Sequence, residues 1–234
     1  MWNIPQNNYT KYLQACEEAC SFGFDTFKQD PNYTNILEHV NPVQGMEYYS
    51  YIPDGRFLEQ FKENDIYGSP TLIDTPLGKI SPTTLRYTKQ ALEIKDLFNY
   101  RSIVEVGGGY GGLCKTLHVL GWKTYSIVDL EQPIKLTEKY LDKFKIKTDL
   151  YTPVPVLKAD LFISNYAFSE CNGDLQEEYF DKIIKNCNQV YITHNTTYSQ
   201  DYPVFMDRCK KIFKIQEQME PISNTNSMIL CMYK

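Results

Sequence analysis

From Tyr9 to about Phe27, the apolar residues Tyr9, Leu13, Cys16 and Cys20 recur at helical spacing behind Asn7 and Asn8, which read as caps, so a helix opens the chain. Asp30-Pro31 breaks it. Tyr33 to His39 reads as a short helix, Pro42 to Pro53 as a tyrosine-rich loop, and Pro53 to Asn64 as a further helix with Phe57 and Phe61 on one side. Between Gly68 and Ser81, turn residues surround short apolar pieces and predict an extended loop or a small hairpin. Ser81-Pro82 is then a cap followed by proline at the first helical position, and Tyr87, Ala91, Ile94 and Phe98 mark the apolar face of the helix it starts.

Beyond that helix the pattern alternates. Ser102 to Val106 is apolar apart from Glu105, runs into the glycine cluster Gly107 to Gly112, and gives way to Leu113, Leu117 and Leu120 at helical spacing. Strand Thr124 to Val128, helix Pro133 to Phe144, strand Leu161 to Ser164, helix Leu175 to Ile184, strand Val190 to Thr193 and helix Pro203 to Phe213 follow. A weaker strand lies between Lys147 and Val156, where two prolines leave little room for a helix after it. Alternation of this kind implies a parallel sheet with helices on both faces. The end differs, because Lys214 to Met219 and Met228 to Tyr233 are joined by too few residues for a helical crossover and should pair antiparallel. The expected fold is therefore α/β and Rossmann-like, with a seven-stranded sheet in which only the last strand is antiparallel, the architecture of class I methyltransferases. Residues 1–80 read as a mainly helical cap and residues 81–234 as the nucleotide-binding core.

Composition narrows the classes. A chain of 234 residues with 42% hydrophobic and 23% charged content can bury a sizeable core, and a net charge of -5 offers no basic field to a nucleic acid. The first residues carry neither a positive nor an apolar leader pattern, and no apolar run is long enough to span a bilayer, so a cytoplasmic protein with no membrane partner is expected. The seven scattered cysteines suit free thiols, and Cys16 and Cys20 lack a second zinc half-site, so no metal is expected.

The glycine cluster supports two readings. Gly107, Gly109 and Gly112 fit the dinucleotide pattern G-x-G-x-x-G, whereas Glu105, Gly107, Gly109 and Gly111 fit E-x-G-x-G-x-G, the S-adenosylmethionine (SAM) form. Glu105 favours the second, because a dinucleotide strand has an apolar residue there and would bury the carboxylate unpaired. Asp129, about twenty residues beyond the glycines, has the spacing of a carboxylate that meets a ribose diol, with Glu131 as its rival. Ligands of open α/β sheets bind beyond the carboxyl ends of the strands, which picks out Asn165, Tyr166 and Glu170 after one strand and His194 and Asn195 after the next.

The segments S-P-T-T-L-R-Y (Ser81 to Tyr87), I-V-E-V-G-G-G-Y-G-G-L (Ile103 to Leu113), V-D-L-E-Q-P (Val128 to Pro133) and S-N-Y-A-F-S-E (Ser164 to Glu170) together resemble the sugar O-methyltransferases, class I SAM enzymes of surface-glycan biosynthesis. The resemblance spans roughly residues 63 to 195, and departs from the family where Glu131 replaces the proline usual after the Asp-Leu pair. It implies that Glu105, Gly107 and Gly109 hold SAM, that Asp129 binds its ribose, and that Arg86 and Tyr87 close over it. Gly111 and Asn165 complete the expected cofactor set. The expected reaction is transfer of a methyl group to a hydroxyl of a nucleotide-activated or glycan-linked deoxysugar, with cap tyrosines such as Tyr48, Tyr49, Tyr51 and Tyr67 stacking on the sugar. Methylation of a phenol or another small metabolite, and a non-catalytic SAM-fold module, are the alternatives; a homodimer is compatible with either. A sugar hydroxyl needs a base, for which His194 is slightly favoured over Glu170 on intrinsic pKa.

Overall fold

The computed structural model describes residues 6–53, 56, 58–196, 201–222 and 226–234, and the side chains among them from residue 9 onward. Four helices come first: α1 (Gln6–Glu18), α2 (Pro31–Thr34), α3 (Pro42–Ser50) and α4 (Glu59–Lys62). A hairpin of β1 (Ile73–Thr75) and β2 (Gly78–Ile80) leads to α5 (Pro82–Leu97). The remainder is β3 (Ser102–Val106), α6 (Gly112–Leu120), β4 (Thr124–Val128), α7 (Glu131–Lys143), β5 (Asp149–Tyr151), β6 (Leu161–Asn165), α8 (Ala167–Glu170), α9 (Gly173–Lys182), β7 (Gln189–Asn195), α10 (Tyr202–Lys210), β8 (Lys214–Met219) and β9 (Ser227–Tyr233).

Seven strands form one sheet in the order β5-β4-β3-β6-β7-β9-β8, and only β9 runs against the rest. The expected class I methyltransferase fold is thus the observed one. Side-chain parity divides the strands between two cores: Ile103, Tyr125, Ile163 and Tyr191 share the core of α5, α6 and α7, while Val104, Phe162, Val190 and Ile192 share that of α9 and α10. Each such side chain is essentially removed from water, worth about 1.5–3 kcal/mol apiece by area. The strand order reverses between β3 and β6, which opens a crevice at their carboxyl ends.

The N-terminal helices share the sheet's core. Tyr12, Cys16, Phe27 and Tyr33 belong to the same buried cluster as Ile103 and Leu117, and Lys139 of α7 donates to the Cys20 carbonyl at 2.6 Å. On the other side, α3 lies so close to α5 that a Cβ on Gly45 would stand 2.9 Å from the Pro82 Cβ.

Several local expectations change. α1 begins at Gln6, so Asn7 and Asn8 lie inside its first turn, and it continues as a π turn over Ala19–Gly23. Asp30 starts a helix as well as ending one: its carboxylate accepts from the Asn32 and Tyr33 amides, and α2 begins at Pro31. The stretch from Pro42 to Pro53, read as loop, holds α3; Asn41 and Gln44 form a reciprocal capping box with Pro42 at the first position, which outweighs the low propensity of the tyrosines. Of the helix expected over Pro53 to Asn64, the described residues show α4 and the turn Glu63–Asp65; Phe61 is buried there, and Phe57 lies outside the described residues.

Candidate active site

A cleft opens where the strands end. Its floor is the loop after β3 (Gly107 to Gly109) with Glu105, Asp129 after β4, Asn165 to Ala167 and Glu170 after β6, and Asn195 on β7. One wall is α5, through Arg86, Tyr87 and Gln90. The roof comes from α1 to α3, chiefly Tyr12, Leu37, His39, Gln44 and Tyr48.

The turn after β3 needs glycine for two reasons. Gly107 and Gly109 have φ of +79° and +57°, and an added Cβ would stand 2.1 Å from the Ala167 Cβ at the first and 2.6 Å from Leu37 Cδ1 at the second. The turn is pinned on both sides: the Gly107 amide donates to the Val128 carbonyl at 3.0 Å, and the Gly109 amide to Asp129 Oδ2 at 3.1 Å. Asp129 Oδ1 accepts from the Leu130 amide at 2.8 Å, so backbone donors fix the carboxylate at the strand end. Glu105 is held by the Tyr125 hydroxyl, 2.9 Å from its Oε2.

Three carboxyls in this cleft carry raised pKa values, each chiefly through desolvation. Glu105 is pushed up to about 7 against the relief of its Tyr125 hydrogen bond. Asp129 rises to about 6, held back by the Leu130 and Gly109 amides. Glu170 rises to about 7, and burial is the only cause. Arg86 is 5% exposed, donates to the Leu37 carbonyl at 3.2 Å and lies over the Tyr87 ring; among the described residues it forms no ion pair with a carboxylate. An anionic group entering the cleft would meet a desolvated cation.

At the end of β6, Asn165 Oδ1 accepts from Thr193 Oγ1 at 2.7 Å and Gln90 Nε2 at 3.2 Å. Asn165 Nδ2 and Gln90 Oε1 remain buried without partners among the described residues, a free donor and a free acceptor on cleft-lining side chains. Tyr166 follows at φ +67° and ψ -43°, a sparsely populated conformation of the kind found at ligand sites. Its amide donates to the Thr193 carbonyl at 2.8 Å, which holds the strained residue in place.

Arg86, Tyr87, Glu105, Gly107, Gly109, Asp129, Asn165 and Glu170 therefore meet in one cleft. Gly111 does not join them; it caps α6, and its Cα faces Leu141 and Thr137 of α7. Glu131 points to solvent and pairs with Lys135, which leaves Asp129 as the carboxylate of that loop. His194 is also elsewhere. Parity along β7 turns it to the α10 face with Val190 and Ile192, where its fully buried ring packs at 4.6 Å from Tyr202 and 6.4 Å from Phe168. Among the described residues neither of its nitrogens has a hydrogen-bond partner, and burial pushes its pKa down to about 4, so it is a neutral core ring. Its neighbour Asn195, on the other face, lines the cleft. Of the four cap tyrosines, Tyr48 alone lines it; Tyr67 packs tilted against Phe24 and edge-on to Phe144, Tyr49 packs beside the Tyr48 cluster, and Tyr51 is exposed. His39 and Gln44 are cleft residues that sequence reasoning passed over, although the Asn41–Gln44 capping pattern was a signal for the helix that carries the second.

Among the described residues, no helix is long and apolar enough to cross a membrane. No protein-family model matches the sequence, and no curated protein matches it. Solved structures do match in fold. The methyltransferase domain of bacterial CtHen1-CN is 9% identical, with 64% of this chain and 97% of that one covered at a TM-score of 0.51. A TehB-like SAM-dependent methyltransferase from Corynebacterium glutamicum ATCC 13032 is 13% identical, over 62% of this chain and 86% of that one, at 0.50. A Nostoc punctiforme PCC 73102 protein provisionally described as an O-methyltransferase is 10% identical, over 64% of this chain and 56% of that one, at 0.51. Likeness at this level establishes the fold, and the fold is that of the class I SAM-dependent methyltransferases.

Proposed function

We propose that this chain is a SAM-dependent O-methyltransferase whose acceptor is a sugar hydroxyl. The observation that carries the cofactor assignment is Asp129: a carboxylate at the end of β4, fixed by the amides of Leu130 and Gly109 and opening on the same cleft as the glycine turn and Arg86. That arrangement suits a ribose diol at Asp129, a cationic amino group toward Glu105 and a carboxylate toward Arg86, the three polar features of SAM beyond its base. When bound, SAM supplies a methyl group on a sulfonium, already activated for transfer.

The chain's own contribution is then placement. Glu105 loses its desolvation cost by facing a cation, and Tyr87 and Leu37 shield the site from water. The free Asn165 donor and Gln90 acceptor suit a polar acceptor over a plain aromatic ring, because hydroxyls satisfy both groups. This favours a sugar over a phenol, in line with the resemblance of the four sequence segments to sugar O-methyltransferases. Glu170 borders the same cleft and orients an acceptor hydroxyl through its carboxyl.

The test is incubation with methyl-labelled SAM and a panel of nucleotide sugars, free deoxysugars and phenols, beside calorimetry with S-adenosylhomocysteine and with NAD. Label in a sugar product and binding of S-adenosylhomocysteine are expected. Tight NAD binding without S-adenosylhomocysteine binding overturns the whole reading, and label only in phenols overturns the sugar assignment.

A further inference from the structure

The chain has three histidines, and their surroundings separate them. His194 is sealed in the core, and His118 packs against Trp122 at the end of α6, outside the cleft. His39 is an exposed residue of the cleft roof and lines the same space as the glycine turn and Asn165. Its Nδ1 lies 3.0 Å from the Ile36 carbonyl oxygen. A carbonyl only accepts, so this contact places the proton on Nδ1 and leaves the lone pair on Nε2. Desolvation in the cleft, with the Arg86 cation on α5 as the second cause, pushes the pKa of His39 down to about 4 and keeps the ring neutral; Arg86 in turn interacts with the buried carboxyl of Glu38. The other acids of the cleft are Glu105, Asp129 and Glu170.

We propose that His39 is the general base of this site, its Nε2 receiving the proton of the acceptor hydroxyl. The proposal rests on the methyltransferase reading. The acceptor oxygen uses a lone pair to bond the methyl carbon as the carbon–sulfur bond breaks, and that bonding pair stays on sulfur, which becomes a neutral thioether. The hydroxyl proton passes to Nε2, giving an imidazolium that later releases it to water. The products are a methyl ether and S-adenosylhomocysteine. A weakly basic imidazole suffices, because an ether oxygen that still holds its proton is a far stronger acid than an imidazolium.

Geometry and protonation favour His39 over Glu170: the Ile36 contact fixes the His39 ring with its Nε2 lone pair unused, whereas burial keeps the Glu170 carboxyl protonated below about pH 7, the form that donates a hydrogen bond and cannot take a proton.

Two replacements separate catalysis from structure. Asparagine at 39 places its amide donor where Nδ1 stands and keeps the contact to Ile36; glutamine does not. Both His39→Asn and His39→Gln should lower kcat about 100-fold or more on the sugar that the wild type methylates, with S-adenosylhomocysteine affinity changed less than twofold by calorimetry. His118→Gln should keep full activity. Nitrogen-15 spectra of the histidine rings at neutral pH should show His39 protonated on Nδ1 only. At saturating SAM, which holds Glu105 and Asp129 ionised, the acid limb of kcat should fall below about pH 5. Full activity of His39→Asn, a ring protonated on Nε2, or an acid limb near pH 7 that Glu170→Gln abolishes would each overturn the proposal. If the wild type binds S-adenosylhomocysteine but methylates nothing in the panel, the sugar reading fails, and the ring spectra still decide whether Nε2 is free to act as a base.

Discussion

The floor and the roof of the cleft come from different parts of the chain and are held by different forces. The floor is a set of strand ends, each side chain fixed by the register of its strand and by backbone donors, as Asp129 is by the Leu130 and Gly109 amides. The roof is a run of short helices and turns whose places depend on caps and on packing against α5 and α7, as the His39 ring is oriented by its contact to the Ile36 carbonyl. Rigid strand ends suit the group that every turnover shares, and a roof made of turns suits the part that changes with the acceptor. Changes in the floor should therefore cost stability and cofactor affinity, and changes in the roof should cost turnover or selectivity alone.

The sharpest break is at Gly107. Alanine there meets both a positive φ and the Ala167 Cβ at 2.1 Å, so Gly107→Ala should destabilise the protein by about 4 kcal/mol in a denaturant titration. Pairing it with Ala167→Gly removes the clash but not the backbone strain, and should restore about half of the loss. A single mutant as stable as the wild type would mean that the floor gives way as readily as the roof.

Glu105 gives the next effect, and its sign is fixed by the direction of the shift. Its folded-state pKa of about 7 lies above the unfolded value near 4.5, so the folded state holds the proton more tightly between these limits. The unliganded protein therefore loses stability as pH rises from about 4.5 through 7, by about 3 kcal/mol from this group. Glu105→Gln keeps an acceptor for the Tyr125 hydroxyl and carries no charge, so it should be more stable than the wild type at pH 8 and differ less at pH 5, measured by unfolding at both. Equal gains at the two pH values would assign the effect to packing.

Asp129→Ala should weaken S-adenosylhomocysteine binding by about 2 kcal/mol, roughly 30-fold by calorimetry, through loss of a charge-assisted hydrogen-bond pair. Asp129→Asn keeps one acceptor and should fall between. An unchanged affinity in both would move the ribose away from β4.

The same division explains what could be read in the sequence. Strand and helix in alternation with a glycine turn led to the seven-stranded sheet with its antiparallel last strand, to Glu105 and to Asp129, because a strand end is a defined place once the strand is found. The roof left no such period. Pro42 to Ser50 is tyrosine-rich and has weak helical propensity, so its helix rests on the Asn41–Gln44 box, a signal of two residues. His39 lies between helices, where no hydrophobic repeat says which way a side chain points. Even on a strand, knowing the end is less than knowing the face: His194 and Asn195 are neighbours at the rim of β7, and the period of two sends them to opposite sides.

That last pair yields the smallest predicted effect. His194 buries two ring nitrogens that have no partner among the described residues, and such groups cost stability that an apolar side chain would not. Its surroundings are the rings of Phe168, Tyr202 and Phe205, already an apolar cluster under α10. His194→Leu keeps most of the volume and removes both polar atoms, so it should raise the unfolding free energy by about 1 kcal/mol and leave methyl transfer and S-adenosylhomocysteine binding as they are. The comparison with His39→Asn is then direct: one histidine replacement gains stability and keeps turnover, the other keeps stability and loses turnover. A His194→Leu protein that is stable, binds S-adenosylhomocysteine and has lost methyl transfer would place this ring in the reaction and undo the division between the two faces of β7.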